Sequence, residues 1–219
     1  MNNSNERPQT FGEEIANSIS HGVGMVGAVA AAPVLIVTAA HRGGTTDIVG
    51  ASVFAASVVL LYCASCIYHA VPWERAKEIF RRIDHSAIFL FIAGTYTPFT
   101  LGVLRGPLGW GLFAAVWSIA AVGVYLKTTK RLTRPAYSLA LYVIMGWMIV
   151  IAAGPLIERV PASGLALIGA GGLAYMIGVG FFANDSRLRY GHFVWHLFVV
   201  TGTVCHFFAV LWYSSPTVA

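Results

Sequence analysis

The run from Ile48 to Ala70, IVGASVFAASVVLLYCASCIYHA, is 23 residues long and contains no lysine, arginine, aspartate or glutamate. At about 1.5 Å of rise per residue, a helix of this length reaches across the roughly 30 Å hydrocarbon core of a bilayer. Its apolar residues are continuous rather than alternating, which predicts a spanning helix and not a strand of a β-barrel. The last turn carries His69, with Ser65 one turn earlier. Polar side chains so deep in an apolar run need a reason, because a membrane interior penalises them.

Outward from this run, six more of the same kind follow: Ile19–Ala40, Ser86–Leu104, Gly109–Leu126, Ala136–Ile157, Ser163–Ala183 and His192–Tyr213. Together the seven predict an all-α membrane protein, a seven-transmembrane-helix bundle occupying residues 19–213. A short polar segment (1–18) precedes it and a short tail (214–219) follows. Composition agrees: 57% of the 219 residues are hydrophobic and 11% charged, with a mean hydropathy of +0.71. A soluble domain carries about a quarter charged residues, so an ordinary soluble enzyme, a disordered chain and a disulfide-stapled secreted module are all excluded. The net charge of +5 comes with no basic block and no nucleic-acid motif, and no nucleic-acid partner is expected. The first residues lack the basic region and small-residue cleavage site of a signal peptide, so the first apolar run is expected to be retained.

Basic residues set the expected orientation. With the N-terminus in the cytoplasm, the inner segments hold Arg7, then Arg75, Lys77, Arg81 and Arg82, then Lys127, Lys130, Arg131 and Arg134, then Arg187 and Arg189. Those are eleven of the fourteen; Arg42, Arg105 and Arg159 lie on the other side. The N-terminus is therefore expected inside and the C-terminus outside.

In that orientation Ser65 and His69 close the second span, Asp84 opens the third, and His192 and His196 open the seventh. All five fall at one depth, the cytoplasmic end. His192 and His196 are i and i+4, so both imidazoles project from one helical face, as on zinc-binding helices. Three histidines leave a fourth position on a tetrahedral zinc for water or a carboxylate. A lone histidine in a span is an interhelical hydrogen bonder more often than a ligand; three at one level beside a carboxylate favour a metal. Iron, nickel or copper would also suit such a donor set.

Other features read as packing. Gly22-Val-Gly24-Met-Val-Gly27 matches a dinucleotide-binding pattern but sits in an apolar span with no preceding strand, which points to close helix contact. Cys63 and Cys66 have helical spacing and no second cysteine pair. His206 lies about 15 Å beyond His196 by helical rise and is assigned to packing or a proton relay. His21 and His85 have the depth of the cluster without a decisive spacing, and Pro33, Pro98 and Pro155 are expected to kink their helices.

Ser65-x-x-x-His69, Arg82-Ile-Asp84-His-Ser-Ala-Ile88, Gly94-Thr-Tyr-Thr-Pro98-Phe and His192-Phe-Val-Trp-His196 together resemble the hemolysin III proteins. These are the prokaryotic branch of the progestin and adipoQ receptor family, which includes the adiponectin receptors. The resemblance runs from Glu14-Ile-Ala-Asn-Ser-Ile-Ser-His21 to the seventh span. It implies a multi-pass protein of the prokaryotic inner membrane, with a zinc ion held by His69, His192 and His196 and approached by Asp84 through water. Ser65 matches the family serine one turn before the first ligand. The adiponectin receptors carry a tyrosine where this chain has His85. Their long cytoplasmic N-terminal domain has no counterpart in these residues, so their signalling partners are not expected.

A three-histidine zinc with an open position suits hydrolysis. Asp84 would serve as general base and Ser65 as a hydrogen-bond donor to the oxyanion or an orienter of His69. The related receptors look like ceramidases, so the expected activity is hydrolysis of a lipid amide that enters from the membrane. Two other classes stay open: a zinc-stapled, non-enzymatic regulator of membrane lipid state, and a cytolytic pore. The pore is disfavoured because the polar residues cluster at one end rather than along the bundle.

Overall fold

The computed structural model describes residues 7–215. Residues 1–6 of the polar N-terminal segment and 216–219 of the tail lie outside the described residues. Eight α-helices follow in order: α1 Phe11–Arg42, α2 Thr45–Ala70, α3 Glu74–Leu101, α4 Pro107–Thr128, α5 Pro135–Trp147, α6 Ala153–Arg159, α7 Ala162–Phe182 and α8 Gly191–Tyr213. A 3₁₀ segment, Met148–Ala152, joins α5 to α6 into one broken rod. Among the described residues there is no strand.

Six units, α1, α2, α4, the α5–α6 rod, α7 and α8, are long and apolar enough to cross a membrane. The remaining helix, α3, is less apolar: six of its first ten residues are charged, and the rest of it includes Asp84, His85, Ser86, Thr95, Thr97, Pro98 and Thr100. It begins twelve residues before the apolar run, which places Asp84 in its third turn rather than at its start. Similarly α1 begins at Phe11, eight residues ahead of its apolar run. The Thr10 hydroxyl accepts from Glu13 N while the Glu13 carboxylate accepts from Thr10 N, a capping box that starts the helix early.

Apolar side chains face both ways. Phe54, Phe89, Val116 and Met145 are buried in the core, while Val23, Val26, Val29, Val34 and Val37 of α1 and Ile144, Trp147, Val150 and Ile151 of the broken rod are exposed. So much contiguous exposed hydrocarbon would drive a water-soluble chain to associate, but it is the ordinary surface of a membrane protein.

The chain reverses at short connections. Helices α1, α2, α3 and α4 pack in sequence, α7 packs on α8, and α1 closes against α8. Close approaches at glycine hold the first three together. A Cβ at Gly94 would lie 2.7 Å from Ser57 Cβ, one at Gly50 would lie 2.8 Å from Pro98 Cα, and one at Gly24 would lie 3.1 Å from the Tyr62 ring. Within the Gly22–Gly27 stretch, Gly22 packs against Cys66 and Gly24 against Tyr62, whereas Gly27 meets nothing within 4 Å. Cys63 and Cys66 are both free thiols.

Helix assignment runs unbroken through Pro33 and Pro98, whereas the break comes just before Pro155. Pro155 has no N–H to donate to the Ile151 carbonyl, so the preceding turn tightens. Tyr96 caps the break: its hydroxyl accepts from Ile149 N at 2.9 Å and donates to Met145 O at 2.7 Å. Elsewhere the broken rod touches its neighbours sparsely, and a cavity opens beside it.

Candidate metal centre and lipid-sized cavity

His69, His192 and His196 come together. Their ring centroids are 5.2 Å (His69–His192), 5.1 Å (His69–His196) and 4.8 Å (His192–His196) apart. One potential ligand atom from each lies within 4.8 Å of the others.

Each ring has its Nδ1 engaged. His69 Nδ1 donates to Glu14 Oε2 at 2.7 Å. His192 Nδ1 donates to Asp185 Oδ2 at 2.9 Å. His196 Nδ1 donates to the Asn17 carbonyl at 3.2 Å and lies 3.1 Å from Ser20 Oγ. An Nδ1–H held this way leaves the Nε2 lone pair as the atom each imidazole can offer, and histidine ligands of metals are usually oriented in this manner. His69 Nε2 is buried without a hydrogen-bond partner. An orphaned buried acceptor is costly unless something meets it. Three imidazole nitrogens from two helices, with a buried orphan among them, make a donor set that fits a divalent transition metal.

Sequence reasoning missed the groups that orient these rings. Glu14 and Asn17 lie at i and i+3 on α1, in line with His21 at i+7, a polar stripe over two helical turns that could have been read as facing the cluster. Asp185 precedes His192 by seven residues across a turn, where no helical period applies. Glu13, at 3% exposure, anchors the start of α8. Its Oε1 accepts from Tyr190 N at 2.8 Å and from Arg7 Nη2 at 2.6 Å. That hydrogen bond from Arg7 raises the already high proton affinity of the guanidinium.

Asp84 and Ser65 stand outside the close histidine group but border the same cavity. Both are buried, and the Ser65 hydroxyl sits beside the Asp84 carboxyl without a hydrogen bond of good geometry. Asp84 has no ion-pair partner among the described residues. His21 stacks flat on His196 at 3.6 Å, and both of its nitrogens are buried and unpaired. His206 is remote from the cluster; its Nδ1 donates to Gly202 O at 2.8 Å and its ring stacks on Tyr175. His85 gives its carbonyl to the Tyr142 hydroxyl at 2.7 Å.

The cavity has a volume of about 560 Å³, within the range of roughly 300–1,000 Å³ usual for small-molecule sites. Its inner wall carries Ser65, Asp84, His192 and His196, and its outer part is apolar, with Ile92, Leu139, Val143 and Ile168. Trp147, Val150, Leu173 and Met176 line it too and are also exposed on the outer surface. The cavity therefore opens sideways between α5 and α7, toward the side where lipid lies.

The model of the family described as Haemolysin-III related matches residues 9–207. Hemolysin-3 of Bacillus cereus is 42% identical over 207 residues, covering 94% of this chain and 93% of that protein. The Hemolysin-3 homolog of Bacillus subtilis (strain 168) is 41% identical, covering 93% of this chain and 95% of its own length. The human monocyte to macrophage differentiation factor is 27% identical, over 94% of this chain and 87% of its own.

Proposed function

From the premise that this chain belongs to the haemolysin-III related family of membrane proteins, we propose that it is a zinc-dependent hydrolase of lipid amides. The proposal includes seven spans, with α3 crossing beside the six more apolar units and the N-terminus in the cytoplasm of a bacterial inner membrane. The eleven basic residues at the end that holds the histidines support that orientation. The observation that carries the activity is a group of three pre-oriented imidazoles, two of which, His192 and His196, stand in the wall of a pocket whose apolar remainder opens to lipid.

In this reading His69, His192 and His196 hold the ion. Zinc in such a set supplies an electrophile that polarises a carbonyl and lowers the proton affinity of water. The protein's own groups do the rest. The apolar wall around Ile92, Leu139, Val143 and Ile168 takes the acyl chain and keeps bulk water out. Asp84, buried and without a cation partner, accepts a proton at its carboxylate and later returns it to the leaving amine. Ser65 Oγ, free of any other partner, donates to the oxygen on which negative charge develops or holds Asp84 in place. Glu14, Asp185 and the Asn17 carbonyl keep the rings fixed, so that little reorganisation is needed at each turnover.

The test uses purified, metal-analysed protein in detergent or nanodiscs with a panel of N-acyl lipids. Cleavage that chelation abolishes, zinc restores and His196→Ala lacks supports the hydrolase. Stoichiometric zinc with no cleavage of any N-acyl lipid in wild type leaves the metal as a staple between α2 and α8 and rejects the enzyme.

A further inference from the structure

A second cavity, of about 140 Å³, lies at the histidine end of the bundle, between the start of α3, the end of α4 and the start of α5. Arg81, Arg82, Lys127 and Lys130 line it, against a single acidic residue, Glu78. Glu78 is already engaged, at 2.6 Å from Arg81 and 3.7 Å from Arg82. Lys127 and Lys130 have no carboxylate partner among the described residues. Yet Lys127 is only 8% exposed, and a buried ammonium without a counter-charge is costly.

The same cavity holds a second unsatisfied group. Ser138, in the first turn of α5, is 4% exposed, and its hydroxyl has no hydrogen-bond partner. The cavity wall also includes Pro135, the first residue of this 13-residue helix, whose N-terminal dipole end favours an anion. One carboxylate would satisfy one cation. Two unpaired lysines, two arginines sharing a single glutamate, a hydroxyl donor and a helix N-terminus suit a group with more charge and more acceptor oxygens, as a phosphate monoester has.

His85, Tyr142 and Phe182 line both this cavity and the large apolar one. A molecule with a phosphate and a hydrocarbon tail could therefore occupy the two together. We infer that Arg82, Lys127 and Ser138 form a binding site for a phosphate monoester, with the acyl chains of a phosphorylated lipid running into the cavity beyond Tyr142. The site concerns binding, so it stands or falls separately from hydrolysis.

The experiment measures binding of dioleoyl phosphatidic acid and of dioleoylglycerol, which has the same tails without the phosphate, to the full-length metal-loaded protein in zwitterionic nanodiscs. Phosphatidic acid should bind about ten- to hundredfold more tightly. Lys127→Gln should remove most of that difference and leave dioleoylglycerol unchanged, while Arg187→Gln, a basic residue at the same end but outside the cavity, changes neither. If Lys127→Gln fails to fold, Ser138→Ala carries the same comparison, with a several-fold selective loss expected. Excess inorganic phosphate separates the sources: displacement of the lipid assigns the site to phosphate from either source, and no displacement assigns it to the lipid. Equal binding of the two lipids overturns the inference, as does an equal effect of Lys127→Gln and Arg187→Gln, which would mark a general surface attraction.

Discussion

Glu14 Oε2 accepts the Nδ1–H of His69 at 2.7 Å, across the interface of α1 and α2 and 55 residues apart in the chain. The other oxygen, Oε1, takes Lys77 Nζ at 2.9 Å. The carboxylate thus ties the beginning of α1, the end of α2 and the first turn of α3 together, and it fixes which nitrogen of His69 faces the centre.

Replacing Glu14 should weaken metal binding without removing a ligand. In Glu14→Gln an amide oxygen can still accept from Nδ1, but the negative charge that raises ligand basicity is lost. The metal affinity should fall about 10–100-fold, read by competition with a chromophoric chelator. Asp185→Asn should act likewise through His192. Unchanged affinity in both would mean that these carboxylates only pack.

His196→Ala and His21→Phe separate a ligand from its neighbour. His196→Ala should purify with well below one metal per chain, because two nitrogens do not make a competent site. His21→Phe keeps the flat contact on His196, which lies at 3.6 Å, and should retain metal near wild-type content by elemental analysis. Loss of metal in His21→Phe equal to that in His196→Ala would enlarge the ligand set to four histidines.

Gly172 tests the cavity apart from the metal. It lines the cavity, and a Cβ built there meets nothing within 4 Å. Gly172→Phe therefore adds bulk at the cavity wall from a Cβ that has open space. Metal content and melting temperature should be unchanged, while turnover of long-chain N-acyl lipids drops about tenfold or more, since a misplaced substrate loses orientation. Short-chain substrates should be affected less. Equal losses for both chain lengths would place the block away from the acyl path.

The sequence made the spans and the histidines legible for the same reason. In an apolar segment each polar residue stands out, and the i, i+4 spacing of His192 and His196 specifies a shared face whatever the neighbouring helices do. Helix ends were less legible. The apolar runs of α1 and α3 stop where charge begins, but Glu13 and Glu78 continue their helices with hydrogen-bonded caps and ion pairs. The orienting shell was hidden further, since Asp185 reaches His192 through a turn and Asn17 acts through its backbone carbonyl. The cavity could not be read at all. It depends on how loosely the broken rod packs, and that follows from the tightened turn before Pro155 and its capping by Tyr96 rather than from any local pattern.

The start of α8 offers the last test. Tyr190 caps this helix in a left-handed conformation, φ 59°, and its N–H is held by Glu13 Oε1 at 2.8 Å. A bulky residue in that region costs about 1–2 kcal/mol that glycine does not. Tyr190→Gly should leave the melting temperature unchanged or raise it slightly, because its N–H still meets Glu13. Glu13→Ala removes that acceptor and the capping partner of Thr10 together. A lost cap costs about 1–2 kcal/mol, which for a chain of this size lowers the melting temperature by roughly 2–8 °C. Because His192 is the second residue of α8, the same variant should also weaken metal binding, through the helix rather than through a ligand. A Glu13→Ala protein that melts and binds metal like wild type would show that α8 holds its own start, and that the contact with α1 only covers it.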